Sequence, residues 1–186
     1  MQKKRCGWVK LSDEIYVNYH DNEWGKPLFD EQKLFELFSL ETQAAGLSWL
    51  TVLKKRDNYK KAFANFDLKT VSNFTCKEID EVLSNYDVIK NRPKLDAIVN
   101  NAKLFLDIQK EFGSIKNYFW EKVGNKQIKN SVSYFRDAPT TSKLSDDITK
   151  DLKKRGFKFV GSVTIYSFLQ AAGLIDDHEN DCFCKS

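Results

Sequence analysis

Apolar residues recur at three- and four-residue spacing along most of the chain, and no stretch alternates in the way of a half-buried strand. The pattern predicts helices at about 13–22, 30–46, 48–63, 75–85, 93–111, 114–122, 145–155 and 161–173. Several ends carry their own signals. Asp30 and Ser48 are N-cap residue types, and Thr75 with Glu78 three positions on fits a capping box. Pro93 suits a first helical turn, and Gly156 and Gly173 stand where helices stop. The least regular stretch, Gly124 to Leu144, reads as a loop. The expectation is all-α, a single domain over 1–186 or two lobes sharing a core.

One amphipathic arc breaks its own rule. At about 100° per residue, the helix over 30–46 puts Leu34, Phe35, Leu37, Phe38, Leu40, Ala44 and Ala45 on one broad side. Glu41 falls near the middle of that side, while Gln32, Glu36, Ser39 and Gln43 take the opposite one. A carboxylate aimed into apolar surroundings costs several kcal/mol unless paired or protonated. It is either a structural acid with a buried partner or a ligand-binding acid in a pocket. Aromatics cluster around it in sequence: Trp8, Tyr16, Tyr19 and Trp24 before, Trp49 after. Any one of them is core by default. Together with an acid, they also match the demands of a flat cationic heterocycle, with rings for its faces and a carboxylate for its charge or amino edge.

Composition excludes several classes. With 41% hydrophobic and 30% charged residues in 186, the chain can bury a core and stay soluble. No apolar run approaches the roughly 18 residues a bilayer span requires, and the start, MQKKRCGW, lacks an apolar signal core, so the expectation is cytoplasmic with no membrane partner. The net charge of +4 is too small to name a partner, but its placement is uneven. Residues 13–41 are acid-rich, and basic clusters stand at Lys3–Arg5, Lys54–Lys61, Lys90–Lys94 and Lys153–Lys158. These are solvated helix faces or, if they converge in space, a phosphate-binding face.

The four cysteines read as thiols. Cys6 and Cys182 each have one of the only two histidines at short range, His20 and His178. Two thiolates and two imidazoles make a closed tetrahedral zinc set that would staple the chain ends, unless the four are unrelated surface residues. Cys184 competes with Cys182 for the fourth place, Cys182 being preferred, and Cys76 reads as a buried apolar filler. The chain contains no G-x-G-x-x-G, P-loop, G-x-S-x-G or H-E-x-x-H pattern. The paired-cysteine signature of zinc deaminases is missing too.

RCGW (5–8), YHDNEWG (19–25), LFELFSLETQAAGLSWLTVLKKR (34–56), LKKRGFKFVG (152–161) and YSFLQAAGLIDDH (166–178) resemble the bacterial DNA-3-methyladenine glycosylase I family, in the same order and over nearly the whole chain. The resemblance implies a monofunctional enzyme of the helix-hairpin-helix glycosylase fold that excises 3-methyladenine from double-stranded alkylated DNA without strand cleavage, and that binds free 3-methyladenine as product. It implies structural zinc on Cys6, His20, His178 and Cys182. Glu41, in the catalytic role of recognition and electrostatic stabilisation, would form the base pocket with Trp49, Tyr16, Tyr19 and Trp24, and Ser167 as a lesser member. Gly46 and Leu47 would fill the gap left by the extruded nucleotide. The hairpin would map to about Asp87–Lys94, where this chain has Pro93 and no glycine, with Asn91 able to turn left-handed. Phosphate contact would then depend on Lys90, Arg92 and the cluster that includes Lys153, Lys154 and Arg155. Nothing requires more than a monomer. The competing reading is a zinc-stapled DNA-binding or damage-sensing protein that does not excise bases.

Overall fold

The computed structural model describes residues 3–185. Its frame is helical: α1 (Glu14–Asn22), α2 (Glu31–Ala44), α3 (Trp49–Leu53), α4 (Arg56–Ala62), α5 (Leu68–Ser72), α6 (Cys76–Asn85), α7 (Arg92–Phe112), α8 (Ile115–Trp120), α9 (Lys143–Arg155) and α10 (Ser162–Ala171). Two short strands, β1 (Ile128–Lys129) and β2 (Ile175–Asp176), pair in parallel with Ile128 opposite Ile175. They tie the 124–144 loop to the C-terminal segment. No helix among the described residues is long and apolar enough to cross a membrane.

The cap residues act as their chemistry predicts. Asp30 accepts from the Lys33 amide, Ser48 from the Thr51 amide, and Thr75 and Glu78 close a reciprocal capping box. Pro93 lies in the first turn of α7, and Gly156 ends α9 at φ +98°, a left-handed angle that a glycine adopts without a Cβ penalty. The predicted helix over 48–63 is instead two. Lys55 leaves helical geometry (φ −100°, ψ 1°), and the chain turns between α3 and α4 without a glycine or proline to mark it.

The central helix, α2, differs most from expectation. Every residue from Leu34 to Gln43 is buried, so its polar side is internal as well. On that side Glu36 and Gln43 are paired, while Gln32 at its start is exposed and the Ser39 hydroxyl has no partner among the described residues. Arg56 donates to Glu36 at 2.6 Å, with Lys60 at 3.3 Å, and Gln43 donates to the Lys94 carbonyl at 2.9 Å. On the apolar side, Phe38 sits among Phe105, Phe119, Phe157 and Phe168, with ring centroids 4.8–6.2 Å away. Cys76, expected in the core, is exposed at the start of α6. It occupies the first position after the Thr75 cap, which the helix end holds at the surface.

Candidate functional site

A cavity of about 280 Å³ opens where α1, α2, α3 and α10 meet the 135–140 loop. Glu41 reaches its wall, only 7% exposed, and among the described residues no donor pairs with its carboxylate. Burial alone raises its pKa to about 8. Trp49 and Tyr19 stand together (centroids 5.4 Å apart), as do Trp8 with Tyr16 and Trp8 with Trp24 (both 5.0 Å). All five rings and Ser167 line the same cavity. The indole N–H groups of Trp8 and Trp49 are buried without a partner, so two donors stand beside one acceptor, all unengaged. Burial, followed by the field of Glu41, pushes the phenols of Tyr16 and Tyr19 upward, which keeps them neutral donors.

The other side of the cavity is only half marked by the sequence motifs: Tyr166, Gln170 and Asp177 fall in the 166–178 stretch, whereas the 135–140 loop falls in none. Phe135, Ala138, Pro139 and Thr140 bring the long loop over the opening, and Val163, Tyr166 and Gln170 contribute from α10. Asp177 is also in the wall, but fully engaged: Tyr166 (2.8 Å) and Gln170 (2.7 Å) donate to one oxygen and Asn130 (2.7 Å) to the other. The loop is held from beneath by Glu179, which accepts from the amides of Phe135 (2.7 Å) and Gly7 (3.0 Å). A larger depression of about 740 Å³ lies on the other side of Tyr19, but its Arg56, Glu23 and Glu36 already pair with one another.

Directly behind the cavity, the donor atoms of Cys6, His20, His178 and Cys182 lie within 4.8 Å of one another, all buried. Each imidazole is fixed through Nδ1: His20 by Asp21 and His178 by Asp176, both at 2.8 Å. Asp21 is in turn gripped by Arg5, whose guanidinium holds its carboxyl down to about 2. Both Nε2 atoms are thereby turned inward, and that of His178 is buried with no partner. The amides of Glu179 and Cys184 donate to the sulfurs of Cys6 and Cys182. Gly25 passes so close to His178 that a Cβ there would meet its ring at 2.5 Å, and its φ of +73° suits glycine. A d¹⁰ cation with nitrogen and sulfur preference suits such a set, with the carboxylates as outer partners. Cys184 is half-buried, its sulfur 3.9 Å from the His20 and Asp21 carbonyls, outside the set of four. Trp8 lies against His20 (5.3 Å) and Trp24 against His178 (4.6 Å), so the cluster and the cavity share a wall.

The expected DNA contacts fall into two groups. Leu47 stands 43% exposed beside the cavity rim helix α3, next to an open Gly46. Lys153 and Lys154 are exposed on the last turn of α9. Arg155, by contrast, is committed inward: it chelates Glu111, donates to Asp151 at 3.0 Å, and lies over the rings of Phe112 and Tyr118. Between α6 and α7, Lys90 caps carbonyls of Leu83 and Tyr86, and Arg92 pairs with Asp80. Asn91, able to turn left-handed, is instead extended (φ −131°) and caps α7 through its side chain. A glycine-bounded turn between two helices is found instead at 156–161, joining α9 to α10.

The family profile described as Methyladenine glycosylase matches residues 8–185. DNA-3-methyladenine glycosylase of Haemophilus influenzae is 50% identical over 182 residues, covering 98% of both chains. DNA-3-methyladenine glycosylase 1 of Escherichia coli is 42% identical over 97% of this chain and 96% of that one. A crystal structure of a tyrosine-to-phenylalanine variant of 3-methyladenine DNA glycosylase I, in complex with 3-methyladenine, superposes with a TM-score of 0.94 at 41% identity, over 98% of this chain and 97% of that chain. With an unpaired carboxylate set among rings and this likeness end to end, the chain belongs to the methyladenine glycosylase family.

Proposed function

We propose that this protein removes 3-methyladenine from alkylated DNA by hydrolysis of the glycosidic bond, and that it leaves the strand intact. The observation that carries the reading is Glu41: a buried acid without a partner, facing a cavity walled by Trp8, Tyr16, Tyr19, Trp24 and Trp49. The cavity lies at the small end of ligand sites, which are roughly 300–1,000 Å³, as one planar base requires.

A base within a duplex must be extruded to be reached, at a cost of a few kcal/mol. The methylated adenine is cationic while bonded to the sugar, so its leaving is already favoured. The bond's electron pair goes to the base and neutralises it; water adds to the sugar carbon and gives up a proton. Glu41, which burial holds protonated in the empty cavity, gives up that proton when the cationic base enters; the carboxylate then accepts from the amino edge of the base and favours the cationic form over ordinary adenine. The rings stack on and enclose the base, and Ser167 lies at the rim. Among the described residues no lysine lines the cavity to form a covalent link with the sugar, in keeping with a monofunctional reaction.

Cys6, His20, His178 and Cys182 would hold a structural zinc, which supplies folding energy and no open position for chemistry. The duplex would lie across Gly46 and Leu47, with Leu47 in the gap, and across the 156–161 turn. There no side chain caps α10, and Lys153, Lys154 and Lys158 stand exposed. Lys90 and Arg92 flank this face as weaker contributors, since their charges are already engaged.

The test is release of free base from methylated duplex DNA. Glu41→Gln keeps the shape of the site but loses the charge, and the expected loss is roughly 10- to 100-fold in excision and in affinity for free 3-methyladenine, as for a hydrogen bond to a charged group. Excision at the parent rate removes the assigned role. Binding of methylated duplex by the parent protein with no base released favours a damage sensor.

A further inference from the structure

Two phenylalanines in this protein occupy left-handed backbone, Phe66 at φ +58° and Phe159 at φ +55°. For a bulky side chain that conformation is an outlier and persists only where the surroundings enforce it. The two differ in what they gain. Phe66 is completely buried, stacked on Phe63 (6.1 Å) with Phe35 edge-on (5.8 Å), so core packing accounts for it. Phe159 is 38% exposed. Its backbone is nonetheless fixed: Asn101 accepts from the Lys158 amide (2.9 Å) and donates to the Lys158 carbonyl (3.1 Å), and Asn100 donates to the Gly156 carbonyl (3.1 Å). The enforcing contacts thus come from α7, through the backbone, and leave the ring itself half in water.

The ring stands in a shallow groove of about 410 Å³ with Pro93, Ala97, Asn100 and Lys158. The groove's charges favour a polyanion. Lys158 is on its edge, exposed Lys153 and Lys154 precede it on α9, and the uncapped start of α10 follows. The acid in its lining, Asp96, has Arg92 at 3.8 Å. A groove with an apolar floor and cationic rim matches a nucleic-acid backbone, whose deoxyribose faces are apolar and whose phosphates flank them.

We infer that Phe159 is a DNA-contact residue, its ring lying against deoxyribose of the duplex in the groove with Pro93 and Ala97 while Lys158 takes the adjoining phosphate. The inference rests on the reading of the 156–161 turn as part of the DNA face. It explains why a position whose backbone angle suits glycine carries a large exposed side chain: the ring contributes in the complex what it does not contribute in the free protein.

Phe159→Gly relieves the backbone, and Phe159→Asn provides a second residue tolerant of left-handed angles. Each is compared with the parent for thermal midpoint, affinity for free 3-methyladenine by Trp fluorescence, and affinity for a duplex holding an uncleavable abasic analogue. The expected result is an equal or higher midpoint, unchanged binding of the free base, and duplex binding weakened by about fivefold or more, with Phe159→Tyr near the parent. A lowered midpoint with parent-like duplex affinity makes Phe159 a packing residue and overturns the inference. Lys153→Ala/Lys158→Ala serves as the control. If it weakens duplex binding while Phe159→Gly does not, the DNA face stands and the ring's role fails. If neither changes duplex binding, the face itself has been misplaced.

Discussion

Two buried polar clusters lie back to back in this protein and are built on opposite plans. In the Cys/His cluster every orienting group is present: Asp21 and Asp176 fix the imidazoles, Arg5 fixes Asp21, and amides point at both sulfurs. In the cavity, Glu41 and the indole N–H groups of Trp8 and Trp49 are left without partners. The outer partners of the cluster are satisfied and hold the fold in one arrangement, only the inward His178 Nε2 lacking a partner among the described residues, whereas the cavity's groups are kept unsatisfied at a cost, as a ligand site requires. The difference separates the part that stabilises from the part that recognises, though Trp8 and Trp24 belong to both.

The comparison is broken most severely from the staple side. Cys6→Ser or His178→Ala should abolish stoichiometric zinc and lower the thermal midpoint by the largest margin of any single change, since metal binding energy is folding energy. Asp21→Asn or Asp176→Asn, which only loosen a ring's orientation, should weaken metal affinity by about 10- to 100-fold, read by competition with a chromogenic chelator. A metal-free preparation as stable as the parent contradicts the assignment.

From the cavity side the expected effect is smaller and of opposite sign. Glu41 has a folded pKa near 8, above its value of 4.5 in an unfolded chain, so the native state holds its proton more tightly. Its contribution to stability is fully present below pH 4.5 and is lost as the pH rises to about 8, by at most roughly 1.4 kcal/mol per pH unit. Glu41→Gln should flatten that part of the stability–pH profile and leave the protein as stable as the parent, or more so, at pH 8. An unchanged profile would mean the acid has a partner after all.

The smallest effects sort the surface cations. Lys153→Ala should lower the slope of log affinity against log salt on duplex DNA by about 0.9, and Lys154→Ala likewise. Arg155→Ala should leave that slope alone and cost about 1 kcal/mol of stability through its lost ion pairs and ring contacts.

Much of this was legible from one dimension. Glu41 was conspicuous because a charge interrupted a periodic apolar arc, and Cys6, His20, His178 and Cys182 because there are so few candidates of their type. What escaped were features decided by tertiary partners. The polar side of α2 looked solvent-facing because nothing in sequence announces that Arg56 and Lys94 will come to meet it. The break at Lys55 has no glycine or proline, and strands of two residues are too short to alternate. Cys76 was misplaced by the general preference of cysteine for interiors, which says nothing about a position next to a helix cap. Arg155 and its lysine neighbours are indistinguishable until Glu111 is seen beside it.

The anchoring of the 135–140 loop by Glu179 has a consequence for how such a site can diversify. One half of the enclosure is welded to the Cys/His cluster through Trp8 and Trp24, so exchanges there endanger the whole molecule. The other half is tied at one backbone amide, that of Phe135, to the Glu179 carboxylate that also takes the Gly7 amide, and the Phe135 ring packs on Gly7; beyond Phe135 this tie makes no demand on the loop's side chains. Pro139 and Thr140 are therefore the positions at which selectivity among damaged purines can be retuned without dismantling the scaffold.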